Sequence, residues 1–400
     1  MNHAQHFALL DDWLIEHQTA WRAKPFTQRR LPWEADWPEL AAALRVRTLA
    51  QAEAGHGAPH SLDLPAPFPQ LARVASRLTT VPDWSGEIGN AQSGSLAWHI
   101  PGRKWDQIQH FVQAVERRSA VPVTRWVDWC AGKGHLGRLL ARQAGGLLTC
   151  LERDPVLTRD GAALSEKWQT SAQHVQADVL HASTWRVLEP DQGLVALHAC
   201  GDLHTTLLRQ GAEAQCQLMA VSPCCYNRTA TATYQPLSQL AQRSALTLSR
   251  DDLGLPLEAT VTAGRRVRQL RDRSRAWRLA FDLWQRDSRG IDEYLPTPSR
   301  PDSALSAGMP AFCRDLAQFH GLALPEPADW NALEAAGWQR LAEVANLELL
   351  RALFRRPLEL WLLLDRAVFL EEQGYAVKLV EFCPVQLTPR NLLLMAERAS

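Results

Sequence analysis

"VDWCAGKGHLGRLL", residues 127–140, decides the fold. An apolar run ends in an acid, Asp128. A tight turn containing Gly132 and Gly134 follows, and Leu136, Leu139 and Leu140 then recur at helical spacing. Strand, glycine turn and helix together open a βαβ unit. Glycines let the backbone approach a ligand, and the first N–H groups of the helix have no partner within it. Nucleotide and dinucleotide sites share such a loop, so the loop alone does not choose between them. No Gly-Lys-Ser/Thr follows, which removes the Walker pattern. The third glycine of the dinucleotide fingerprint is missing too, which weakens a nicotinamide-binding oxidoreductase.

Outward from this stretch the texture repeats. "VTRWVDW", "LLTCLE", "QHVQAD", "LVALHAC" and "QLMAVSPCC" read as strands, with "LGRLLARQAG", "PVLTRDGAALSEKWQ" and "LHTTLLRQGAEA" as helices between them. "QPLSQLAQRSALTL" reads as a helix after the fifth strand. Short apolar strands separated by helices predict a mostly parallel α/β sheet covered on both faces. "AVKLVEFC" and "NLLLMAER" read as two more strands that complete it.

Residues 1–120 read as a helical N-terminal region. Phe7, Leu10, Leu14 and Trp21 fall near one face, and "GRKWDQIQHFVQAVERRS" is amphipathic through Trp105, Ile108, Val112 and Val115. "SGEIGNAQSGS" (85–95) reads as a loop. The expected division is 1–120 helical, 121–257 cofactor-binding core, 258–365 helical insertion and 366–400 closing strands.

The chain has 400 residues, enough for two or three modules. Its formal net charge is zero, so a nucleic-acid surface has to be a local patch. No run of about 18 apolar residues is present, which argues against a membrane span. The N-terminus lacks the layout of a signal peptide, so the 8 cysteines are expected to be reduced thiols of a cytoplasmic protein. The 16 tryptophans are read as packing residues.

Acids follow the glycine loop in order. Glu152 ends the second strand, where a carboxylate suits a ribose diol. Asp178 ends the third, within reach of an adenine amino group. The alternative is that both are polar strand ends.

With "GRKWDQI" (102–108), "DWCAGKGHLG" (128–137), "LHACGDLH" (197–204), "SPCCYN" (222–227) and "TPRNLLL" (388–394), the chain resembles the class I S-adenosylmethionine (SAM)-dependent methyltransferases. More narrowly, it is similar to methyltransferase-like proteins with Gly-Lys-Gly-His-Leu and Cys-Cys-Tyr motifs. These include the glutathione-S-transferase-C-terminal-domain-containing proteins and, distantly, tRNA 2′-O-methyltransferases. The resemblance covers roughly residues 100–250 and 370–400. It implies a Rossmann-like, seven-stranded, mostly parallel sheet with SAM as cofactor. It also implies cofactor contacts from Asp128, Cys130, Ala131, Gly132 and Gly134, with Glu152 on the ribose. Asp178 and Val179 would face the adenine, and His198 and Ala199 would line the methyl-donor pocket. Cys130 departs from the family at a position where many members carry glycine. Lys133 is read either as pairing with a carboxylate or as guiding an anionic substrate.

Ligands sit beyond the carboxyl ends of parallel strands. In the class I strand order that the resemblance implies, strands one, four and five are neighbours, which would place Cys130, Cys200, Cys224 and Cys225, with His198 and His204, around one crevice. Buried packing, a thiolate nucleophile and an unreactive pocket lining remain open for the thiols. No Cys-x-x-Cys pair marks a metal site, and none is assigned. Strand alternation predicts that only one of Cys224 and Cys225 points inward. Cys224, Cys225 and Asp202 are the catalytic candidates, although Asp202 suits a helix N-cap equally. His204 and Tyr226 are placed among the substrate contacts, with Arg103 and Lys104 adding positive charge.

"GRRVRQLRDRSRAWR" (264–278) holds seven arginines and one aspartate. Arg268, Arg271, Arg275 and Arg278 share a helical face, read either as a phosphate-binding stripe or as a face paired with the acids of 326–343. The expectation is a methyltransferase acting on RNA (rRNA or tRNA), with no membrane partner. The rivals are a protein or small-molecule methyltransferase and a SAM-binding factor without activity.

Overall fold

A computed structural model describes residues 1–86, 100–258, 264–327 and 329–398. Most of the expected loop 85–95 lies outside the described residues. The chain divides into two compact units, the first formed by Met1–Glu16, Leu78–Ala259 and Arg355–Ser400, the second by His17–Arg77 and Thr260–Phe354.

The first unit holds one seven-stranded sheet. Its strands are β1 (Arg125–Trp129), β2 (Leu147–Glu152), β3 (Ala172–Gln176), β4 (Gln192–Leu197), β5 (Leu218–Ser222), β6 (Tyr375–Glu381) and β7 (Leu392–Arg398). Their order is β3-β2-β1-β4-β5-β7-β6. The first five pair in parallel, and β7 runs antiparallel to both β5 and β6. This is the seven-stranded, mostly parallel sheet that the resemblance implies. The central strands β4 and β5 are buried along nearly their whole length, as a sheet covered on both faces requires. One packing layer comes from the helix Gly102–Arg118, whose Trp105, Ile108, Phe111, Val112 and Val115 join Trp126, Leu140 and Phe382 in a common core.

The helix Arg355–Glu372 is buried almost all round, with Glu359, Asp365 and Arg366 inside, and packs on β6 and on His3–Glu16. Trp361 meets Phe7 ring to ring and donates from Nε1 to Asp11 Oδ1 at 2.8 Å. The first helix and Gly102–Arg118 therefore belong with the sheet, and so does Arg355–Glu372, most of which lies in the expected insertion. The division by sequence texture did not assign these helices to the sheet, because helical periodicity does not report what a helix packs against.

The segment 235–248 is helical only over Gln239–Gln242. Pro236 precedes it, and the Leu237 and Ser238 N–H groups donate to the buried Asp365 carboxylate at 2.9 and 2.7 Å. These bonds hold the chain as a strap rather than a longer helix.

In the second unit, Arg265–Arg289 packs against Trp330–Ala352, where Gly337 permits close approach. A Cβ on Gly337 would stand 2.6 Å from the Ala276 carbonyl oxygen. Arg278 is drawn inward to the carbonyls of Thr297 and Pro298, so the Pro/Ser-rich 296–308 segment is tied to this helix.

Candidate functional site

The β1–helix loop turns through left-handed conformations at Cys130, Gly132 and Gly134, with φ of 59°, 55° and 69°. For Cys130 this costs about 1–2 kcal/mol, which explains why glycine suits the position. The two glycines differ. A Cβ on Gly134 would lie 2.7 Å from Cys150 Sγ, whereas one on Gly132 would meet nothing within 4 Å. Gly134 serves packing, and Gly132 faces open space. Ala131 donates its N–H to the Leu151 carbonyl at 3.0 Å, tying the loop to the end of β2.

Asp128 turns inward. Its Oδ2 accepts from the Gly137 N–H at 2.9 Å, and only 3% of the residue is exposed. The expected cofactor contact at this residue is therefore corrected. Its carboxyl anchors the start of the helix His135–Ala144 because burial leaves no route from it to the open loop. Burial raises its pKa to about 7, against the pull of Gly137 N–H and Arg138. A carboxyl whose folded-state pKa is raised contributes stability that is present at acid pH and lost as pH rises through that pKa. Between about pH 4 and pH 7 the wild type is expected to lose on the order of 1–3 kcal/mol that Asp128→Asn retains. Urea melts of both proteins across that range check it; parallel pH profiles would refute the assignment.

Glu152 remains at the loop. Its Oε2 accepts from the Gly132 N–H at 2.8 Å and its Oε1 from the Asp154 N–H at 2.9 Å. Asp178 lies two residues beyond β3 and accepts from the Leu180 N–H at 3.0 Å. Val179 is buried, and its carbonyl accepts from Trp185 Nε1 at 2.9 Å.

His198, just past β4, is also left-handed, at φ 69°. Its backbone N–H donates to the Ser222 carbonyl at 3.1 Å, and its Nε2 lies 2.8 Å from Gln107 Oε1. Burial, then the Lys104 charge, lowers its pKa. An amide oxygen only accepts, so a neutral His198 donates from Nε2 and leaves Nδ1 as an acceptor. Gln107 was not singled out from the sequence, although it lies inside the "GRKWDQI" motif. Lys104, one turn earlier, acts electrostatically on both Asp128 and His198. Ala199 is buried. Arg103 donates to the Gln386 carbonyl at 3.1 Å.

The thiols converge. Cys200 Sγ lies 3.1 Å from Cys224 Sγ, and Cys224 Sγ lies 3.7 Å from Cys225 Sγ. All three fall within 4.8 Å of one another. The expectation that only one of the adjacent pair turns inward is overturned. β5 ends at Ser222, so Cys224 and Cys225 follow Pro223 in a loop where strand alternation no longer applies. The Cys224 hydrogen bond lowers the Cys200 pKa to about 6, and the same contact raises that of Cys224. Burial raises Cys225 and pushes Cys130 up to about 12.

Other candidates take structural places. Asp202 is the first residue of its helix, not the cap, and its Oδ2 accepts from the Ala230 N–H at 2.7 Å. His204 is 0% exposed and its Nε2 accepts from Arg366 Nε at 2.9 Å. Burial, then Arg366, holds it neutral. Tyr226 is 1% exposed, edge-on to His204. Both expected substrate contacts are corrected: their side chains are closed off by packing. Lys133 pairs with Asp160 at 2.8 Å.

In the second unit the arginine stripe divides. Arg275 pairs with Glu348 at 3.0 Å and Arg278 is bonded to the 297–298 backbone, while Arg271 contacts Asp272 at 3.5 Å. The expected outward face is therefore half inward, since the helix packs on Trp330–Ala352 along that side. Arg265, Arg266 and Arg268 stay exposed and line a groove of about 650 Å³ with Leu49, Glu53 and Trp338.

Residues 103–232 match the family model of a methyltransferase domain, so the chain carries such a domain. Among solved structures, the chain is similar to magnesium protoporphyrin IX methyltransferase from Synechocystis PCC 6803 with bound SAH. That match has 13% identity and a TM-score of 0.26 and covers 34% of this chain and 62% of that one, under two thirds of its length. It is similar to a putative RNA methyltransferase from Pyrococcus horikoshii at 12% identity and TM-score 0.26, covering 39% and 74%. It is also similar to coclaurine N-methyltransferase bound to N-methylheliamine and SAH at 13% identity and TM-score 0.29, covering 88% and 91%. No helix among the described residues is long and apolar enough to cross a membrane.

Proposed function

We propose that the chain is a SAM-dependent methyltransferase whose acceptor is RNA. The observation that carries the reading is the pairing of Gly132 with Glu152. An open glycine cradle at the end of β1 is held 2.8 Å from a carboxylate at the end of β2. A carboxylate has about four lone-pair sites, so Glu152 can hold ribose hydroxyls beyond its two backbone bonds. The loop Cys130–Gly134 takes the methionine part, Asp178 and Val179 face the adenine, and His198 and Ala199 line the donor end. These residues fit SAM in charge and in order along the sheet.

The cofactor supplies a methyl group on a positively charged sulfur, so the leaving group needs no acid. The protein positions the acceptor and removes its proton. Neutral His198, with Nε2–H held by Gln107, offers Nδ1 for that proton. The exposed Arg265, Arg266 and Arg268 beside Trp338 supply the local positive, aromatic surface that RNA requires on a chain with no net charge. The Gly-Lys-Gly-His-Leu and Cys-Cys-Tyr motifs support kinship with the glutathione-S-transferase-C-terminal-domain-containing proteins and, distantly, with tRNA 2′-O-methyltransferases.

Gly132→Ala tests the cradle. It is expected to lose only about 1 kcal/mol of stability yet weaken SAM binding at least about tenfold, or 1.4 kcal/mol, because its methyl enters the open space. Calorimetric titration with SAM checks this; unchanged affinity sinks the cofactor assignment. For the acceptor, wild-type protein and labelled SAM are incubated with RNA, protein and small-molecule fractions from cells lacking the chain. Label in RNA is expected. Label confined to protein or small molecules overturns RNA, and SAM binding with no label in any fraction favours a non-catalytic factor.

A further inference from the structure

Three of the chain's eight cysteines meet beyond β4 and β5, in two loops that the backbone locks together. Gly201 N–H donates to the Cys225 carbonyl at 2.6 Å, Asp202 N–H to the Arg228 carbonyl at 3.1 Å, and His198 N–H to the Ser222 carbonyl at 3.1 Å. The thiols are thus carried by a braced turn. All three are free and partly exposed, so the cluster is open on one side.

A tetrahedral zinc with sulfur at about 2.3 Å sets its sulfur atoms about 3.8 Å apart. The Cys224–Cys225 separation is 3.7 Å, Cys200–Cys224 is 3.1 Å, and no pair exceeds 4.8 Å. An adjustment of about an ångström or less therefore brings the three sulfurs to zinc distances. Three thiolates around a divalent ion leave one negative charge. Arg228 acts electrostatically on Cys200 and Arg390 on Cys225, so cations are at hand to balance it. The ligand set escapes a search for Cys-x-x-Cys, because Cys224 and Cys225 adjoin and the third ligand comes from another strand end.

We propose that Cys200, Cys224 and Cys225 form a zinc site with three sulfur ligands and an open fourth position. Three Zn–S bonds form from three thiolates, and the protons that the thiols still carry pass to solvent, with no change of oxidation state. Three protein ligands with one position left open is the arrangement of catalytic rather than structural zinc. Soft sulfur donors select zinc over magnesium or calcium. Water or a substrate atom takes the fourth position. The site stands on thiol geometry and does not depend on the identity of the methyl acceptor.

The test uses the full chain, reduced, stripped with chelator and titrated with cobalt(II), then zinc. Expected are sulfur-to-cobalt charge-transfer bands with tetrahedral d–d bands saturating at one equivalent, bleached by zinc. Zinc should also protect three thiols from alkylation, identified by peptide mapping. Cys200→Ser, Cys224→Ser and Cys225→Ser should each abolish or strongly weaken the bands, while Cys313→Ala, in the other unit, should keep them. Circular dichroism and SAM titration on the same samples separate loss of metal from loss of fold and from failure of the methyltransferase reading. Absent cobalt–thiolate bands in folded, reduced wild type overturn the proposal. So does a Cys200–Cys224 disulfide formed with peroxide in protein that takes up no metal.

Discussion

Gly201→Ala is expected to lose about 4 kcal/mol or more, enough to leave a typical domain near its unfolding threshold at 37 °C. Gly201 lies at φ 54°, ψ −122°, a region open essentially to glycine. A Cβ there would stand 1.9 Å from the Arg228 carbonyl oxygen and 2.3 Å from its carbon. The obstacle is backbone, so no rotamer change relieves it. The 223–228 loop must move, and it is held by Gly201 N–H to Cys225 and Asp202 N–H to Arg228. Displacing that loop also separates Cys200 from Cys224 and Cys225, so surviving folded protein should lose metal binding. Urea unfolding of the variant beside Gly132→Ala checks this. Both glycines have positive φ, but only one faces backbone, so equal losses would mean that the Arg228 approach is not the cause.

Asp365→Ala is expected to cost about 3–5 kcal/mol, because several buried donors lose their acceptor at once. Asp365 is 0% exposed and accepts from the Tyr234 hydroxyl, from Leu237 N–H at 2.9 Å, and from Ser238 N–H and Oγ at 2.7 Å each. Removing it strands these donors in a dry interior, and the Tyr234 hydroxyl that it holds also accepts from the buried Arg366. Arg366 bonds His204 and the Tyr234 hydroxyl, so the loss spreads to the helix that begins at Asp202. Asp365→Asn keeps one acceptor oxygen and should fall between the two. Thermal and urea melts measure both; a loss below about 1 kcal/mol for alanine would show that water satisfies the stranded donors.

Local chemistry made much of the first unit legible. Alternating strands and helices, a glycine turn after Asp128 and acids at later strand ends depend on neighbours in sequence, and the observed sheet carries them in that order. The second unit was harder to read. Arg275 and Arg278 share periodicity with Arg268 and Arg271, yet two turn inward and two outward. Only Glu348 and the 297–298 backbone decide that. Asp128 reads like Glu152, an acid at a strand end, but one is sealed behind Gly137 and the other reaches Gly132.

The sequence by itself determined the strand–glycine–helix opening and the sheet type, which follow from backbone conformation and short-range pattern. Of the four thiols expected around one crevice through the strand order of the resemblance, Cys200, Cys224 and Cys225 lie within 4.8 Å of one another, and Cys130 is not in that group. Tertiary structure alone decided that both adjacent cysteines face Cys200, that His204 and Tyr226 are sealed, that Asp365 holds the 234–238 strap, and that Arg355–Glu372 belongs with the sheet. The partners stand from 24 positions away, as for Cys200 and Cys224, to 162, as for His204 and Arg366, and no local pattern encodes which distant group will arrive.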